Sequence, residues 1–383
     1  MTEQLIDTFG RVHRDLRISV TDRCNFRCTY CMPEEGMEWT PREHLLTFEE
    51  IERIAGILVN RFGVDGIRLT GGEPTVRARL PLLIEKLAAL GVDLALTTNG
   101  ATLRLVADDL KRAGLRRLNI SLDTFKRDRF FELTRRDELD KVLDGIDAAI
   151  EAGFEPVKIN AVVMKGVNDD EILDFVEFGR DKGVVVRFIE FMPLDADQAW
   201  SDDAVMSQQE ILDIISDAHP IEPLERGSSP AARWRYADGG GEIGVIATVT
   251  QAFCDSCDRI RLTAEGAFRN CLFATNEYDM RAMLRGGATD DEIAEALKGA
   301  VMDKWAGHQI GQVQLVQSLI GQRLNPARFD LCFAIVCHTN HMGLHAQSLE
   351  PGQKPGLRAA RPGCVDQIVK TIPLICRLAR QFQ

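Results

Sequence analysis

The sequence predicts an α/β fold: a partial barrel built from six strand–helix units, with a smaller region after it. Two observations carry this prediction. Short β-rich runs alternate with longer helical stretches through the first two-thirds of the 383 residues. Such alternation implies a parallel sheet with helices outside it. Residues suited to chemistry recur where the runs end, which is where such sheets gather their active sites. A complete barrel would need eight units, so six of this regularity imply an open one.

The β-rich runs lie at 16–20, 66–69, 93–97, 117–122, 157–164 and 184–191. Segments between them, such as 48–61 and 141–152, space their apolar residues as a helix does. The first run leads into a loop at Cys24, and the second ends in Thr70-Gly71-Gly72-Glu73-Pro74. The third ends in Thr97-Thr98-Asn99-Gly100 and the fourth in Ser121-Leu122-Asp123. The fifth carries Lys158 and Asn160, and the sixth runs into Glu190-Phe191-Met192-Pro193. From about 223 to 241 the pattern lapses. There Gly227-Ser228-Ser229-Pro230 and Gly239-Gly240-Gly241 read as loop or linker. The expected organisation is a barrel over 1–225, a C-terminal region over 226–312 and an atypical tail over 313–383. The tail has eight Lys or Arg against three acidic residues, in a chain whose formal net charge is -12. It reads as a poorly ordered extension. A new metal site from Cys332, Cys337, His338 and His341 is the alternative for it.

The acidic balance argues against a general nucleic-acid surface and leaves room for a local basic pocket. No apolar run approaches a membrane span, and the first residues carry no secretory pattern, so a cytoplasmic protein is expected. Ten cysteines in such a compartment do not imply a disulfide framework. Six of them fall into two triplets, which points to two metal centres.

The first triplet is Cys24-Asn-Phe-Arg-Cys28-Thr-Tyr-Cys31. Three thiolates on one loop can hold three irons of a cubane and leave the fourth open to a substrate. Zinc usually asks for four ligands in paired spacing. The second triplet is Cys254, Cys257 and Cys271, spaced C-x2-C-x13-C. By spacing alone this also resembles a zinc ribbon lacking one ligand. Arg259 and Arg261 sit between its cysteines, alternating with Ile260 and Leu262. Arginines in that setting point towards an anion, because guanidinium pairs bidentately with phosphate.

The C-x3-C-x2-C loop, with Tyr30 before its last cysteine and Gly71-Gly72-Glu73 after the next run, resembles the radical S-adenosylmethionine (SAM) superfamily. The stretch from Asp15 through Cys24, together with the Cys254–Cys271 segment, resembles the GTP 3',8-cyclase family of molybdenum cofactor biosynthesis. The resemblance runs from about residue 11 to 312. It implies a partial (βα)6 TIM-type barrel of the radical SAM type with a smaller region bearing a second iron–sulfur cluster.

The resemblance further implies two [4Fe–4S] clusters, one on Cys24, Cys28 and Cys31 and one on Cys254, Cys257 and Cys271. It implies SAM contacts from Tyr30, Gly72, Ser121 and Met192. GTP contacts are implied for Arg17, Arg68, Thr97, Lys158, Arg259, Ile260 and Arg261. Read without it, Thr97 and Ser121 are strand-end caps and Met192 is core. The implied chemistry is reductive cleavage of SAM, abstraction of the ribose 3'-hydrogen of GTP and attack of C3' on guanine C8. A second enzyme then forms the cyclic pyranopterin. The resemblance also implies a homodimer and an electron donor that it does not identify. The family ends in a Gly-Gly tail shortly after a segment like Lys304–His308, whereas this chain continues. The competing expectations are another radical SAM enzyme with an auxiliary cluster, such as a peptide maturase, or an inactive member of the family.

Overall fold

A computed structural model describes residues 3–32, 39–193, 200–274 and 276–308. The barrel begins with β1 (Asp15–Ser19), α1 (Phe48–Phe62), β2 (Gly66–Thr70) and α2 (Leu80–Ala88). It continues with β3 (Asp93–Thr98), α3 (Leu103–Arg112), β4 (Arg117–Ser121), α4 (Arg127–Thr134) and α5 (Leu139–Glu151). It is completed by β5 (Val157–Val163), α6 (Ile172–Lys182), β6 (Val185–Glu190) and α7 (Gln208–Ala218). The six strands fall within one residue of the runs read from the sequence.

Local chemistry sets these elements. In α1 the Thr47 side chain accepts from the Glu50 amide while the Glu50 carboxylate accepts from the Thr47 amide. This reciprocal cap satisfies two otherwise orphaned donors, each worth ~1 kcal/mol. Ile51, Ile54, Ala55, Leu58 and Phe62 then recur on one buried face. Gly63 ends the helix at φ 71, a left-handed turn that suits glycine. β1, β2 and β5 alternate strictly, whereas β3, β4 and β6 each bury three residues in a row. Leu16, Ile18, Ile67, Leu69, Ile159 and Ala161 are buried beneath the helices, and their neighbours in sequence face the concave side.

The lapse at 223–241 is not a linker. It holds β7 (Ile221–Leu224) and β8 (Ala232–Tyr236), followed by β9 (Glu242–Ile246). These form an antiparallel meander, and the glycine-rich stretches are its turns. β9 joins β6 in parallel. On the far side β10 (Arg259–Leu262) joins β1 in parallel, and β11 (Ala267–Arg269) and β12 (Tyr278–Asp279) follow it antiparallel. The sheet order is β12-β11-β10-β1-β2-β3-β4-β5-β6-β9-β8-β7. Residues beyond α7 thus extend both edges of the six-stranded core. The described chain closes with α8 (Met280–Arg285) and α9 (Asp290–Met302). The tail, with Cys332, Cys337, His338 and His341, lies outside the described residues.

Candidate active site

The loop after β1 carries the first cysteine triplet, and the loops after β2 and β4 support it. The Gly72 amide donates to the Thr21 carbonyl at 2.8 Å, and the Glu73 amide to the Arg23 carbonyl at 2.7 Å. A Cβ on Gly72 would lie 2.3 Å from the Arg23 oxygen, so only glycine lets the two backbones meet. Glu73 is buried and accepts from the Thr75 and Asn99 amides and the Thr98 hydroxyl. On the other side the Arg27 amide donates to the Thr134 carbonyl and the Thr29 amide to the Leu133 carbonyl. The Tyr30 hydroxyl donates to Asp123 Oδ2 at 2.6 Å. Burial raises the Asp123 carboxyl to about 6, against the hydrogen bonds from Tyr30 and the Val162 amide. Burial also pushes the Cys24, Cys28 and Cys31 thiols up. Glu73 lifts Cys24 further, and Asp123 with the neighbouring thiols lifts Cys28 further.

The second triplet lies across the concave face. Cys254 opens a single helical turn before β10, and Cys271 follows β11. All three thiols line one cavity of about 220 Å³. A larger hollow of about 780 Å³ lies on the outside between 42–49 and 76–82 and is lined by no cysteine. The chemistry therefore selects the smaller. Arg259 donates to Cys257 Sγ from Nη2 at 3.0 Å and from Nε at 3.3 Å. Lys304 Nζ lies 3.7 Å from the same sulfur. Burial would raise the Cys257 thiol, but Arg259 and Lys304 together pull it below its ordinary range.

The cavity wall is strongly cationic. Strand register sets Arg261, Arg17 and Arg68 side by side on β10, β1 and β2. Like charges directly opposite one another destabilise a sheet. Arg17 has Asp15 Oδ1 at 3.5 Å, but its Nε and Nη2 are buried without a hydrogen-bond partner, as is Arg68 Nε. Burial, then the neighbouring arginines, lowers Arg68 to about 10 and Arg261 to about 9. Arg187 on β6 is lowered to about 9 for the same reasons. Its donors reach Asn160 Oδ1 and Asn119 Oδ1, which are neutral acceptors. Lys158, on the row of β5 that carries Asn160, is lowered to about 8 by burial and then by Arg187 and Arg117. Guanidinium groups remain charged at neutral pH. Asp15 offsets only part of this charge, and the buried donors left without partners fit a polyanion.

Each triplet offers three free thiols, a donor set that suits a cubane with one iron left open. Among the described residues no group of three or more His, Cys, Asp or Glu converges as a metal-ion site would.

Residues 18–179 match the radical SAM superfamily, and 184–310 match the family described as Molybdenum Cofactor Synthesis C. The GTP 3',8-cyclase of Rhodopirellula baltica is 49% identical over 313 residues, covering 80% of this chain and 87% of that protein. That of Streptomyces coelicolor is 48% identical over 318 residues, covering 82% and 93%. The chain belongs to the GTP 3',8-cyclase family. Among solved structures, Streptococcus suis SuiB bound to precursor peptide SuiA superposes with a TM-score of 0.53 at 15% identity. It covers 76% of this chain and 67% of SuiB, and it shows the shared radical SAM fold alone.

Within this cyclase-family chain the cavity gathers Arg17, Arg68, Thr97, Met192, Arg259 and Arg261 with the second triplet. Lys158 and Ser121 lie beside it on the concave face, in register with Asn119 and Asn160. Tyr30 belongs instead to the first cysteine loop, and Gly72 to the loop after β2 that packs against it. The Ile260 side chain is fully buried on the opposite face of β10, so only its backbone can meet a ligand. Sequence reasoning missed Arg187, a charge inside the apolar run Val-Val-Arg-Phe-Ile, where a buried partner was readable. It also missed Phe253, Phe273 and His308 in the cavity wall. Both ring nitrogens of His308 are buried without a hydrogen-bond partner.

Proposed function

We propose that the cavity binds GTP, and that this chain cyclises it between C3' and C8 in the first step of molybdenum cofactor synthesis. Its family relatives are named for that reaction. The observation that carries the site assignment is the in-register row Arg261, Arg17 and Arg68 beside three cysteines. Arg17, Arg68, Arg261 and Lys158 hold the triphosphate, offsetting charge that the fold leaves unneutralised. Arg259, the backbone of Ile260 and Thr97 complete the nucleotide contacts. Cys254, Cys257 and Cys271 hold the second [4Fe–4S] cluster beside the guanine.

Cys24, Cys28 and Cys31 hold the first [4Fe–4S] cluster, which when bound supplies the electron that cleaves SAM to a 5'-deoxyadenosyl radical. Tyr30, Gly72, Ser121 and Met192 position SAM. Gly72 does so by letting its backbone lie against the cysteine loop, and Tyr30 by a ring fixed through Asp123. The protein's task is to align the ribose 3'-hydrogen and guanine C8 and to keep water out.

The division at about residue 225 is functional on this reading. Residues 1–225 supply the SAM half, and 226–312 supply the second cluster and two of the arginines. The product passes to the enzyme that forms the cyclic pyranopterin. The chain pairs as a homodimer in the cytoplasm and draws electrons from a separate donor; size-exclusion chromatography checks the pairing. Among the described residues no helix is long and apolar enough to cross a membrane.

Anaerobic turnover of the reconstituted protein with SAM, GTP and a strong reductant tests the function. GTP-dependent 5'-deoxyadenosine together with a cyclised guanosine triphosphate, read by mass spectrometry, is the expected result. 5'-Deoxyadenosine formed without the nucleotide product would transfer the assignment to another radical SAM reaction.

A further inference from the structure

Lys304 contacts neither the cavity nor the first cysteine loop, yet it is buried against the second cysteine turn. It follows α9 directly. Its Nζ donates to the Arg259 carbonyl at 2.8 Å and lies 3.7 Å from Cys257 Sγ and 3.4 Å from His13 Nδ1. His13 is fully buried, and burial holds it neutral at physiological pH. A neutral imidazole has one N–H. Its Nε2 lies 3.1 Å from Asp7 Oδ2, so the partners place the proton there and leave Nδ1 to accept from Lys304. Asp7 in turn accepts from Arg11 Nε at 2.6 Å. The remaining donors of Arg11 hold the carbonyls of Cys254, Trp305 and Ala306.

Each member of this relay therefore has one defined role, and its end point is an ammonium aimed at a cysteine sulfur. Burying so many charges is costly, and none of these four side chains lines the nucleotide cavity. The reduction potential of an iron–sulfur cluster depends on hydrogen bonds to its sulfurs and on nearby charge. A buried cation stabilises the more negative, reduced cluster.

We propose that Lys304 is a positioning residue which, through its charge-assisted contact with Cys257 Sγ, raises the reduction potential of the second cluster. The Asp7–His13–Arg11 relay holds it in place. This rests on the reading that Cys254, Cys257 and Cys271 carry a cluster.

The test is a potentiometric titration of the full chain with both clusters reconstituted, followed by electron paramagnetic resonance. SAM and GTP are added separately to distinguish the two signals. Lys304→Met should shift the second cluster towards the oxidised form by about tenfold at a given potential, or ~59 mV for a one-electron couple. The first cluster should stay where it was, and Lys304→Arg should retain the wild-type value. An unchanged second potential in Lys304→Met with full iron and sulfide content, or an equal shift in both clusters, would overturn the proposal. Where Lys304→Met does not retain the second cluster, Lys304→Arg decides: a wild-type potential supports the proposal, and a fall overturns it. Iron for only one cluster in the wild-type chain would overturn the cluster reading itself, a result distinct from an insensitive potential.

Discussion

The two cysteine turns carry the same number of thiols but differ in the groups that face one of them. Around the first, Glu73 and Asp123 press on Cys24 and Cys28, and all three thiols are held above their ordinary range. Around the second, burial still raises Cys254, but Arg259 and Lys304 pull Cys257 down against it. Ligand count alone does not separate the sites; the groups surrounding the ligands do. Arginines also hold the first loop, but they bind its carbonyls and not its thiols. A cation-rich setting beside incompletely neutralised arginines suits a cluster that meets an anionic substrate.

The sharpest way to break this contrast is to remove one ligand from each turn. Cys28→Ser should abolish reductive SAM cleavage, a loss well beyond the ~100-fold that disturbing a ligand's outer partner costs. Cys257→Ser should instead leave SAM cleavage measurable and eliminate the cyclised nucleotide. Normal 5'-deoxyadenosine yield from Cys28→Ser would remove SAM cleavage from the first turn. A smaller effect is expected from Arg261→Ala. Loss of one charge-assisted phosphate contact, ~1.5–3 kcal/mol, should weaken GTP binding by about 10- to 100-fold and leave SAM binding unchanged in equilibrium titrations. Unaltered GTP affinity would remove the arginine row from the nucleotide site.

The smallest effect concerns pH. Lys158 is depressed to about 8 in the free protein, so it is charged at pH 7 and largely neutral at pH 9. Its contact with phosphate is present below that pKa and lost as pH rises through it. GTP affinity should therefore fall between pH 7 and 9, by at most about tenfold per unit for one proton. Lys158→Met should bind more weakly at pH 7 and show a flatter profile. Parallel profiles for the two proteins would exclude Lys158 from the contact.

The barrel was legible in the sequence because its signals are local. The capping box at Thr47 and Glu50 and the alternation in 157–163 are written within a few residues. The cysteine spacings likewise marked both turns. What escaped depends on partner choice. β9 and β10 are short, and periodicity cannot tell which edge either will join. The family resemblance named Arg261, Arg17 and Arg68, but their lateral row comes from segments far apart and exists only once β10 pairs with β1. Lys304 and His13 are isolated polar residues in sequence, and their relay is created by the same closure.

That closure also orders events in time. The supports of the first cysteine loop come from residues up to about 168, so its cradle can form while the chain is still being made. The second turn is held by Arg11, 243 positions before the Cys254 carbonyl it binds, and Arg11 also binds the Trp305 and Ala306 carbonyls. Until those residues emerge from the ribosome, the outer edge of β1 has no strand beside it and the arginine row has no third member. The first cysteine turn thus has its supports once about 168 residues are made, whereas the second waits for partners as far along as Ala306.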